Sequence, residues 1–462
     1  MRTLFLGMGI LTGISLLIFF VYNKSESSSR KRKDIIAALL VLCFLSQITM
    51  AQKNVKEYVS ANALEIKHID IKDNNMTDLE AFGKAIGESR IVALGEQSHG
   101  DATTFEAKGR LVKYLHEQKG FNVLVFESDY FGMTYGFEKV AKNRDSINNF
   151  IQNNLMEIWS KCHKTQDFLY EYIWQTQNSQ NPLLLAGFDC QFHSEFSIKN
   201  LKTKTREVFT KIANSDEDIA NAKIITENLH QTYYWTREIP DSLALEKGWA
   251  ALNALLLNKN LINLSEEEKL LVENIKMSYD QFIDVLHKRL YQDYNYAKRD
   301  KQMFRNLLWL LTERFPNQKV ILWAHNSHIA KNIYQFEHTE TKGLMMGHLL
   351  GNKKLNPFTY YALGFTSFAA DVVWANGQYA TIAEKPKKNS FENWINPNWK
   401  YAFIDWKNWN KNNNTETFFM KGSLEAVQHK NYNYLWNKAY DGVFFLRNID
   451  GCRRAETKDT TK

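Results

Sequence analysis

The sequence is poor in proline, glycine and cysteine for its length. Its 462 residues include 6 Pro, 21 Gly and 4 Cys, while 44% are apolar and 24% are charged. So few turn-forming residues favour long helices and strands over a turn-rich β-sandwich, and the composition excludes a disordered or collagen-like chain. The length is enough for one large domain or two ordinary ones.

The four cysteines are too few and too scattered for a disulfide scaffold, and none forms a C-x-x-C pair that would indicate a metal site. Three of them, Cys162, Cys190 and Cys452, lie in the body of the chain. Because three is an odd number, at least one thiol must be free unless two chains are linked. We expect Cys190 to be buried rather than bridged.

A strong basic excess is also lacking from most of the chain. The formal net charge is +7, but residues 1–51 hold six basic and two acidic side chains, so the rest carries only +3. The body has no helix whose basic face is interleaved with aromatic residues, and no zinc-knuckle or RNP signature. We therefore expect no nucleic-acid partner.

Two uncharged runs lie on either side of this basic cluster. Thr3–Tyr22 is long enough to cross the roughly 30 Å hydrocarbon core of a membrane. Ile35–Leu45 is shorter and leads to a small-x-small motif ending at Ala51, which is typical of a cleavable signal peptide. Since Lys/Arg-rich loops stay cytoplasmic, residues 1–51 are predicted to be a transmembrane or signal export segment. The body, 52–462, is then periplasmic or secreted, and is membrane-anchored if the segment stays uncut; a start codon downstream of the first run would leave only the signal.

Short runs of about four apolar residues recur along the body. They are Ile91–Leu94, Val123–Phe126, Leu183–Ala186, Val320–Trp323 and Tyr360–Leu363. Runs that are apolar on both faces are typical of buried parallel strands. Between the first two runs, Thr103–Gln118 has helical periodicity, with a Thr at its start and Lys-Gly after its end. The first two runs and this helix therefore form a βαβ unit.

Strand signals disappear between Phe196 and Phe315, and segments such as Glu266–Leu290 have a 3.6-residue periodicity instead. This pattern predicts a helical insertion at about residues 195–315. The aromatic-rich stretch Asn389–Trp436 has weak periodicity, which predicts loops with short elements. The fold class is thus α/β, with a parallel-sheet core, βαβ units and a large helical insertion, in one domain over 52–462.

Ionisable residues follow four of the predicted strands directly, and ligands of open parallel sheets bind beyond the carboxyl ends of the strands. A purely structural sheet would end in turn-forming residues instead. The sequence therefore predicts an active site at this edge of the sheet. The residues are Glu96 and His99, then Glu127, then Asp189 and Gln191, then His325 and His328.

Imidazoles and carboxylates together suit the deprotonation of water. An ordinary histidine has a pKa near 6.5, and a carboxylate partner fixes its tautomer and raises its basicity. We therefore expect hydrolysis of an ester, lactone or amide without a covalent intermediate and without a cofactor or metal. The predicted catalytic residues are Glu96, His99, Glu127, His325 and His328.

Three alternatives remain open at this stage. Ser98 could be a nucleophile, although GEQSHG has one residue too many for a G-x-S-x-G elbow. His325-x-x-His328 resembles half of a zinc site, although no H-E-x-x-H occurs. The same residues could also belong to a cell-surface binding module that performs no chemistry.

These residues also resemble the erythromycin esterase family. The resemblance lies in GEQSHG (95–100) for G-E-x-x-H-G, FES (126–128), GFDCQ (187–191) for G-F-D-x-Q, and WAHNSH (323–328) for W-A-H-N-x-H. Arg299-Asp300 is among the supporting matches. The order and approximate spacing hold from about residue 88 to residue 445.

The resemblance implies an α/β fold with a large helical part and an enzyme that opens a macrolide lactone with water and so confers resistance. It implies that His99 is the general base, and that Glu96, Glu127, His325 and His328 position water and polarise the carbonyl. Lys108, Asp189, Gln191 and Arg299 are then predicted to bind substrate.

Three departures from the family pattern leave the macrolide open as the substrate. Lys108 stands where macrolide-hydrolysing members have Arg, so the bidentate fork is lost. Thr103-Thr104 stands where a Glu is expected, and WSKCH (159–163) replaces W-x-N-x-E. Another ester or a surface polysaccharide is the alternative substrate.

Overall fold

The computed structural model describes most of the chain after residue 53. The described residues are 40, 54–234, 240–287, 296–331, 345–377, 379–383, 385–413, 420–423 and 431–454. Two compact units are present, Met1–Glu57 and Tyr58–Lys462. Apart from Leu40, the predicted runs Thr3–Tyr22 and Ile35–Leu45 lie outside the described residues. Among the helices that are described, none combines the length and the apolar character needed to cross a membrane.

The described part of the second unit contains eleven strands. They are β1 Leu64–Ile66, β2 Ile91–Leu94, β3 Phe121–Asp129, β4 Leu184–Asp189, β5 Lys319–Trp323, β6 Tyr360–Val373, β7 Ala380–Ile382, β8 Tyr401–Asp405, β9 Met420–Gly422, β10 Tyr432–Tyr434 and β11 Gly442–Ile449. Nine of them form one sheet in the order β1-β8-β11-β6-β2-β5-β3-β4, with β7 paired to β6, and β9 and β10 pair separately.

The six strands from β11 to β4 in this order are parallel, whereas β8 is antiparallel to β1 and β11, and β7 is antiparallel to β6. All five predicted apolar runs lie in this parallel part, so the α/β fold class is confirmed. All four residues of β2 are buried, as expected for a strand covered on both faces. Strands β8 and β11 were not predicted.

Helices connect and cover the strands. From residue 80 onward, the described α-helices are Glu80–Ile86, Ala102–Lys119, Tyr130–Lys139, Arg144–Asn154, Glu157–Ser160, Ile173–Thr176, Glu195–Ile212, Asp216–Asn228, Ser242–Leu255, Glu266–Leu286, Tyr296–Trp309, Asn326–Ile329, Met346–Gly351, Trp406–Asn412 and Trp436–Ala439. Short 3-10 turns lie at Thr77–Leu79, His163–Thr165, Leu229–Thr232, Lys259–Asn263 and Phe391–Trp394, and π-helical turns at Asp167–Tyr172 and Leu310–Arg314.

Between β4 and β5 the described residues form helices and no strands. Local sequence explains where several of these helices begin, because polar N-cap side chains satisfy free backbone amides. Ser194, Ser215 and Asp241 each cap a helix, and Ser265 with Glu268 forms a full capping box. These helices share a hydrophobic core of their own, separate from the cluster packed against the sheet.

Candidate active site

The loop after β2 places Glu96 and His99 in direct contact. Nδ1 of His99 lies 2.8 Å from Oε1 of Glu96, whose side chain is fully buried. The indole Nε1 of Trp159 donates to the same oxygen at 3.0 Å. The other carboxylate oxygen accepts from Nζ of Lys108 at 2.8 Å, reaching over from helix Ala102–Lys119. Glu96 is therefore held by three donors from three separate segments.

These contacts keep Glu96 ionised. Burial alone would raise its pKa, but the charge of Lys108 and the hydrogen bonds from His99 and Lys108 outweigh burial and lower it. Burial lowers the pKa of Lys108 to about 8, against the opposing effect of the Glu96 charge. Since a carboxylate only accepts hydrogen bonds, the neutral ring of His99 carries its proton on Nδ1, which leaves the lone pair on Nε2.

Nε2 is the ring nitrogen of His99 that does not contact Glu96. It makes no hydrogen bond with any residue that the structure describes, and the His99 side chain is 23% exposed. The ring is packed edge-on against three others, with centroid distances of 5.8 Å to Trp159, 5.4 Å to His325 and 5.6 Å to Trp374. The imidazole is therefore fixed in orientation while its basic nitrogen stays accessible.

Arg299 joins the ends of β3 and β4. It donates to both oxygens of Asp189, from Nε at 3.0 Å and from Nη2 at 2.6 Å, and Nη2 also donates to Oε1 of Glu127 at 3.0 Å. Such a bidentate, charge-assisted contact fixes both distance and plane. Burial alone would raise the pKa of Glu127, but the charges of His328 and Arg299 lower it well below its usual range.

His328 is held between two carboxylates. Its Nδ1 lies 2.9 Å from Oδ1 of Asp300, and its Nε2 lies 3.1 Å from Oε1 of Glu127. Burial opposes the charged form, but the two carboxylates outweigh it and raise the pKa of His328 to about 10. The ring is therefore an imidazolium at neutral pH. Nε2 of His328 is 3.3 Å from Nη1 of Arg299. The surrounding carboxylates offset the repulsion between these two cations.

His325 lies between these two groups. Its ring is 5.4 Å from that of His99 and 6.4 Å from that of His328. Nε2 donates to the carbonyl of Gln97 at 2.9 Å, and Nδ1 accepts from Ser327. Burial, aided by the nearby histidines, lowers the pKa of His325 to about 4, so the ring is neutral. Its backbone N–H donates to Oε2 of Glu127 at 2.9 Å.

The structure thus brings the five residues predicted as catalytic into one continuous cluster. Asp189 and Arg299 belong to it, and the backbone N–H of Gln191 donates to Asp189. Lys108 is fully buried and lies behind Glu96, which places it out of direct reach of a bound molecule. Ser98 is also buried, and its hydroxyl lies 3.4 Å from Nε1 of Trp374.

Three neighbours of this cluster were not predicted as site residues. Asp300 had a sequence signal, because it adjoins Arg299 in a family motif. Trp159 lies in the segment that departs from the family pattern, and Trp374 had no signal at all. Within the described ranges no group of three or more His, Cys, Asp or Glu side chains is arranged to hold a metal ion.

Comparison with known proteins identifies relatives with this fold. The family model described as "Erythromycin esterase" matches residues 116–449, a range that includes Glu127 and His328 but begins after His99. The putative hydrolase YbfO of Bacillus subtilis (strain 168) is 21% identical over 411 residues, which cover 82% of this chain and 88% of that protein.

Two further relatives carry the esterase description. Erythromycin esterase type II of Escherichia coli is 25% identical over 343 residues, or 66% of this chain and 76% of that protein. The structure of a mutant of the erythromycin esterase EreC in its open conformation superposes with a TM-score of 0.62 at 17% identity, covering 85% of this chain and 99% of that one. At that identity the structural likeness supports the fold alone.

Proposed function

This chain belongs to the erythromycin esterase family of hydrolases, and we propose that it opens the lactone of a macrolide such as erythromycin by adding water, with His99 as general base. The observation that carries the proposal is the Glu96–His99 pair. Its carboxylate is buried and held by three donors, and its basic nitrogen is accessible.

In the proposed reaction, Nε2 of His99 takes a proton from water as the water attacks the ester carbonyl. Glu96 then stabilises the imidazolium through its bond to Nδ1, and the same proton returns to the leaving alkoxide. A positioned base of this kind contributes about 10²–10⁴ to the rate. The products are a carboxylic acid and an alcohol, which balance the ester and one water, and the acid then releases its proton to solvent.

Two cationic side chains, held in place by carboxylates, lie on the far side of His325 and support polarisation of the carbonyl. Arg299 and His328 are both cationic at neutral pH, and His328 lies one ring away from the base. Groups of fixed orientation that face developing negative charge lower the barrier, because they need no reorganisation during the reaction. We assign this role to Arg299 and His328, with Glu127 and Asp189 holding them.

Aromatic side chains beside His99 support a large apolar substrate. Trp374 packs on the His99 ring, and Tyr379 packs on Trp374 at 5.5 Å between centroids; both are partly buried. Apolar and aromatic linings with a few placed polar groups are typical of small-molecule sites. A macrolide ring offers the apolar face that such a wall would contact.

We also propose that the catalytic domain works outside the cytoplasm, in the periplasm or as a secreted protein. The support is the pair of apolar runs around a basic cluster in residues 1–51. A disulfide between Cys162 and Cys452 agrees with this location, because disulfides persist in oxidising compartments and are rare in the cytosol. Detection of the mature N-terminus by mass spectrometry would decide whether the segment is removed.

Mass spectrometry of the substrate tests the activity. Incubation with erythromycin and with a 16-membered macrolide should yield a product heavier by one water, and His99→Ala should abolish it. His230→Ala is the matched control, because His230 is exposed and lies in a 3-10 turn of the helical region. Binding without any product would favour the binding module, and loss of activity with EDTA that zinc restores would favour a metalloenzyme. Product formation from other esters alone would move the substrate away from macrolides.

A further inference from the structure

The disulfide joins two segments that are distant in sequence and adjacent to the site. Cys162 and Cys452 are 290 residues apart, their Cα atoms are 5.1 Å apart, and both side chains are buried. The family match ends at residue 449, so Cys452 lies beyond it. Cys190 is the free, buried cysteine of the described chain.

On one side, Cys162 lies within one helical turn of Trp159, whose indole donates a hydrogen bond to Glu96. The backbone N–H of Cys162 donates to the carbonyl of Trp159 at 3.2 Å. The hydroxyl of Thr165 lies 2.6 Å from the Trp159 carbonyl and 2.7 Å from the Cys162 carbonyl. The position of Trp159, which donates to Glu96 and packs on His99, is therefore linked to the position of Cys162.

On the other side, the disulfide reaches the backbone next to His99. The N–H of Cys452 is shared between the carbonyl of Gly100, at 3.1 Å, and that of Val373, at 2.9 Å. Gly100 follows His99, and Val373 precedes Trp374. A Cβ at Gly100 would lie 2.8 Å from backbone atoms of Val373, so this close approach requires glycine.

Flanking residues of the C-terminal segment make further bonds to the same elements. The backbone carbonyl of Asp450 accepts from the backbone N–H of Ala102, and the backbone N–H of Asp450 donates to the hydroxyl of Thr103, both at 2.9 Å. The backbone carbonyl of Arg453 accepts from the backbone N–H of His163 at 3.0 Å, and the backbone N–H of Arg453 donates to Nδ1 of His163 at 3.1 Å. Residues 450–453 therefore contact the start of helix Ala102–Lys119 and the segment after Trp159.

We propose that the Cys162–Cys452 disulfide positions the Glu96–His99 pair, so that full hydrolytic activity requires the oxidised chain. It fixes the two indoles that pack against the His99 ring relative to the backbone that carries His99. This role rests on the proposed function, since it assigns the disulfide a part in that reaction. The two cysteines are positioning residues, because neither touches the reacting atoms.

Removal of the bond leaves these segments held by core packing and hydrogen bonds alone. A catalytic group displaced by about 1 Å loses about 10²-fold in rate. We therefore expect a roughly 10- to 100-fold fall in kcat, accompanied by a rise in KM for large substrates, because Trp374 both confines His99 and belongs to the apolar wall. A disulfide with only a structural role would lower the melting temperature and leave the kcat of the folded enzyme unchanged.

The experiment compares the oxidised protein, the protein reduced with dithiothreitol, and the double variant Cys162→Ala/Cys452→Ala. Dithiothreitol supplies two electrons and two protons to the two sulfurs and becomes a cyclic disulfide. kcat and KM are measured well below the melting temperature of each sample. The reduced protein and the double variant should show the same fall in kcat, and reductant should have no further effect on the double variant. Unchanged kcat in both samples would overturn the proposal.

A second readout does not depend on any substrate. Diethyl pyrocarbonate acylates the accessible nitrogen of neutral imidazoles, and peptide mass spectrometry gives the rate at His99 relative to exposed His230. The ratio should rise several-fold on reduction, as the indoles no longer confine the ring. An equal ratio in the oxidised and reduced protein would overturn the positioning role. If no ester or lactone is hydrolysed by the oxidised protein, the proposed function fails, and this ratio still decides whether the disulfide positions His99.

Discussion

Replacement of Glu96 by glutamine removes one negative charge from the site and keeps the shape of the side chain. The carboxylate accepts at both ends: His99 and Trp159 donate to Oε1, and Lys108 donates to Oε2. An amide has one accepting oxygen and one donating NH₂ group. If the oxygen faces His99 and Trp159, the NH₂ group faces the ammonium of Lys108, so one of the original contacts becomes a contact between donors.

The magnitude follows from the burial of this pair, since Glu96 and Lys108 are both fully inaccessible to solvent. Breaking a buried ion pair by removing one partner costs about 3–5 kcal/mol of unfolding free energy. The catalytic loss is separate, because the imidazolium of His99 loses its counter-charge during proton transfer. We expect kcat to fall about 10²–10⁴-fold, with little change in KM.

Stability and activity can be separated with a second substitution. In Glu96→Gln/Lys108→Met the buried cation is also removed, so most of the unfolding free energy should return, because hydrophobic replacements of a buried pair are often neutral or stabilising. Activity should stay low in this double variant. Urea unfolding and steady-state kinetics on a macrolide lactone measure the two effects. A positioned base supplies at least about 10²-fold in rate. If the kcat of Glu96→Gln stays within about threefold of the wild-type value, Glu96 does not support the base and the reasoning is refuted.

Three further predictions concern His328, Lys108 and Trp374. The pKa of His328 is about 10 in the folded protein against 6.5 ordinarily, so its contribution to stability is complete below pH 6.5 and is lost as the pH rises through 10. The difference in unfolding free energy between wild type and His328→Asn should therefore shrink from pH 6.5 to pH 10, and a constant difference in urea unfolding would contradict the imidazolium assignment. Lys108→Arg should lower the unfolding free energy by about 1–3 kcal/mol through overpacking, without raising macrolide hydrolysis, because the site is fully buried over the Trp323 ring; a gain in kcat/KM would show that this residue contacts substrate. Trp374→Ala should raise KM for a macrolide more than for p-nitrophenyl acetate, since only the larger substrate covers the aromatic wall. An equal rise in KM for both substrates would show that Trp374 is not part of the surface that contacts the macrolide.

Much of the fold was predictable because burial dictates residue type. A strand covered on both faces must be apolar throughout, so runs such as Ile91–Leu94 identify β2 and its parallel neighbours. Strand β8 was missed because Tyr401–Asp405 lies in an aromatic-rich stretch with no clear period. The exported segment and the domain limits at residue 52 stay predictions, since they concern residues 1–51.

The sequence alone determined which ionisable groups meet at the edge of the sheet. Glu96 and His325 lie just beyond parallel strands and Glu127 lies near the end of one, and the carboxyl ends of such strands must lie side by side. The sequence also determined that the chain is an esterase-family hydrolase, because several short motifs recur in the family's order. Both conclusions depend only on residues that are close together in the sequence, at the strand ends and in the motifs beside them.

Only the tertiary structure decided what each group does there. The three histidines of the site differ in protonation and hydrogen bonding. His325 is neutral, His328 is an imidazolium, and His99 presents a nitrogen without a hydrogen-bond partner among the described residues. Their surroundings differ because the partners that set protonation come from distant elements, as Asp300 does for His328. Charge and burial depend on distances between such elements, and a one-dimensional pattern does not contain those distances.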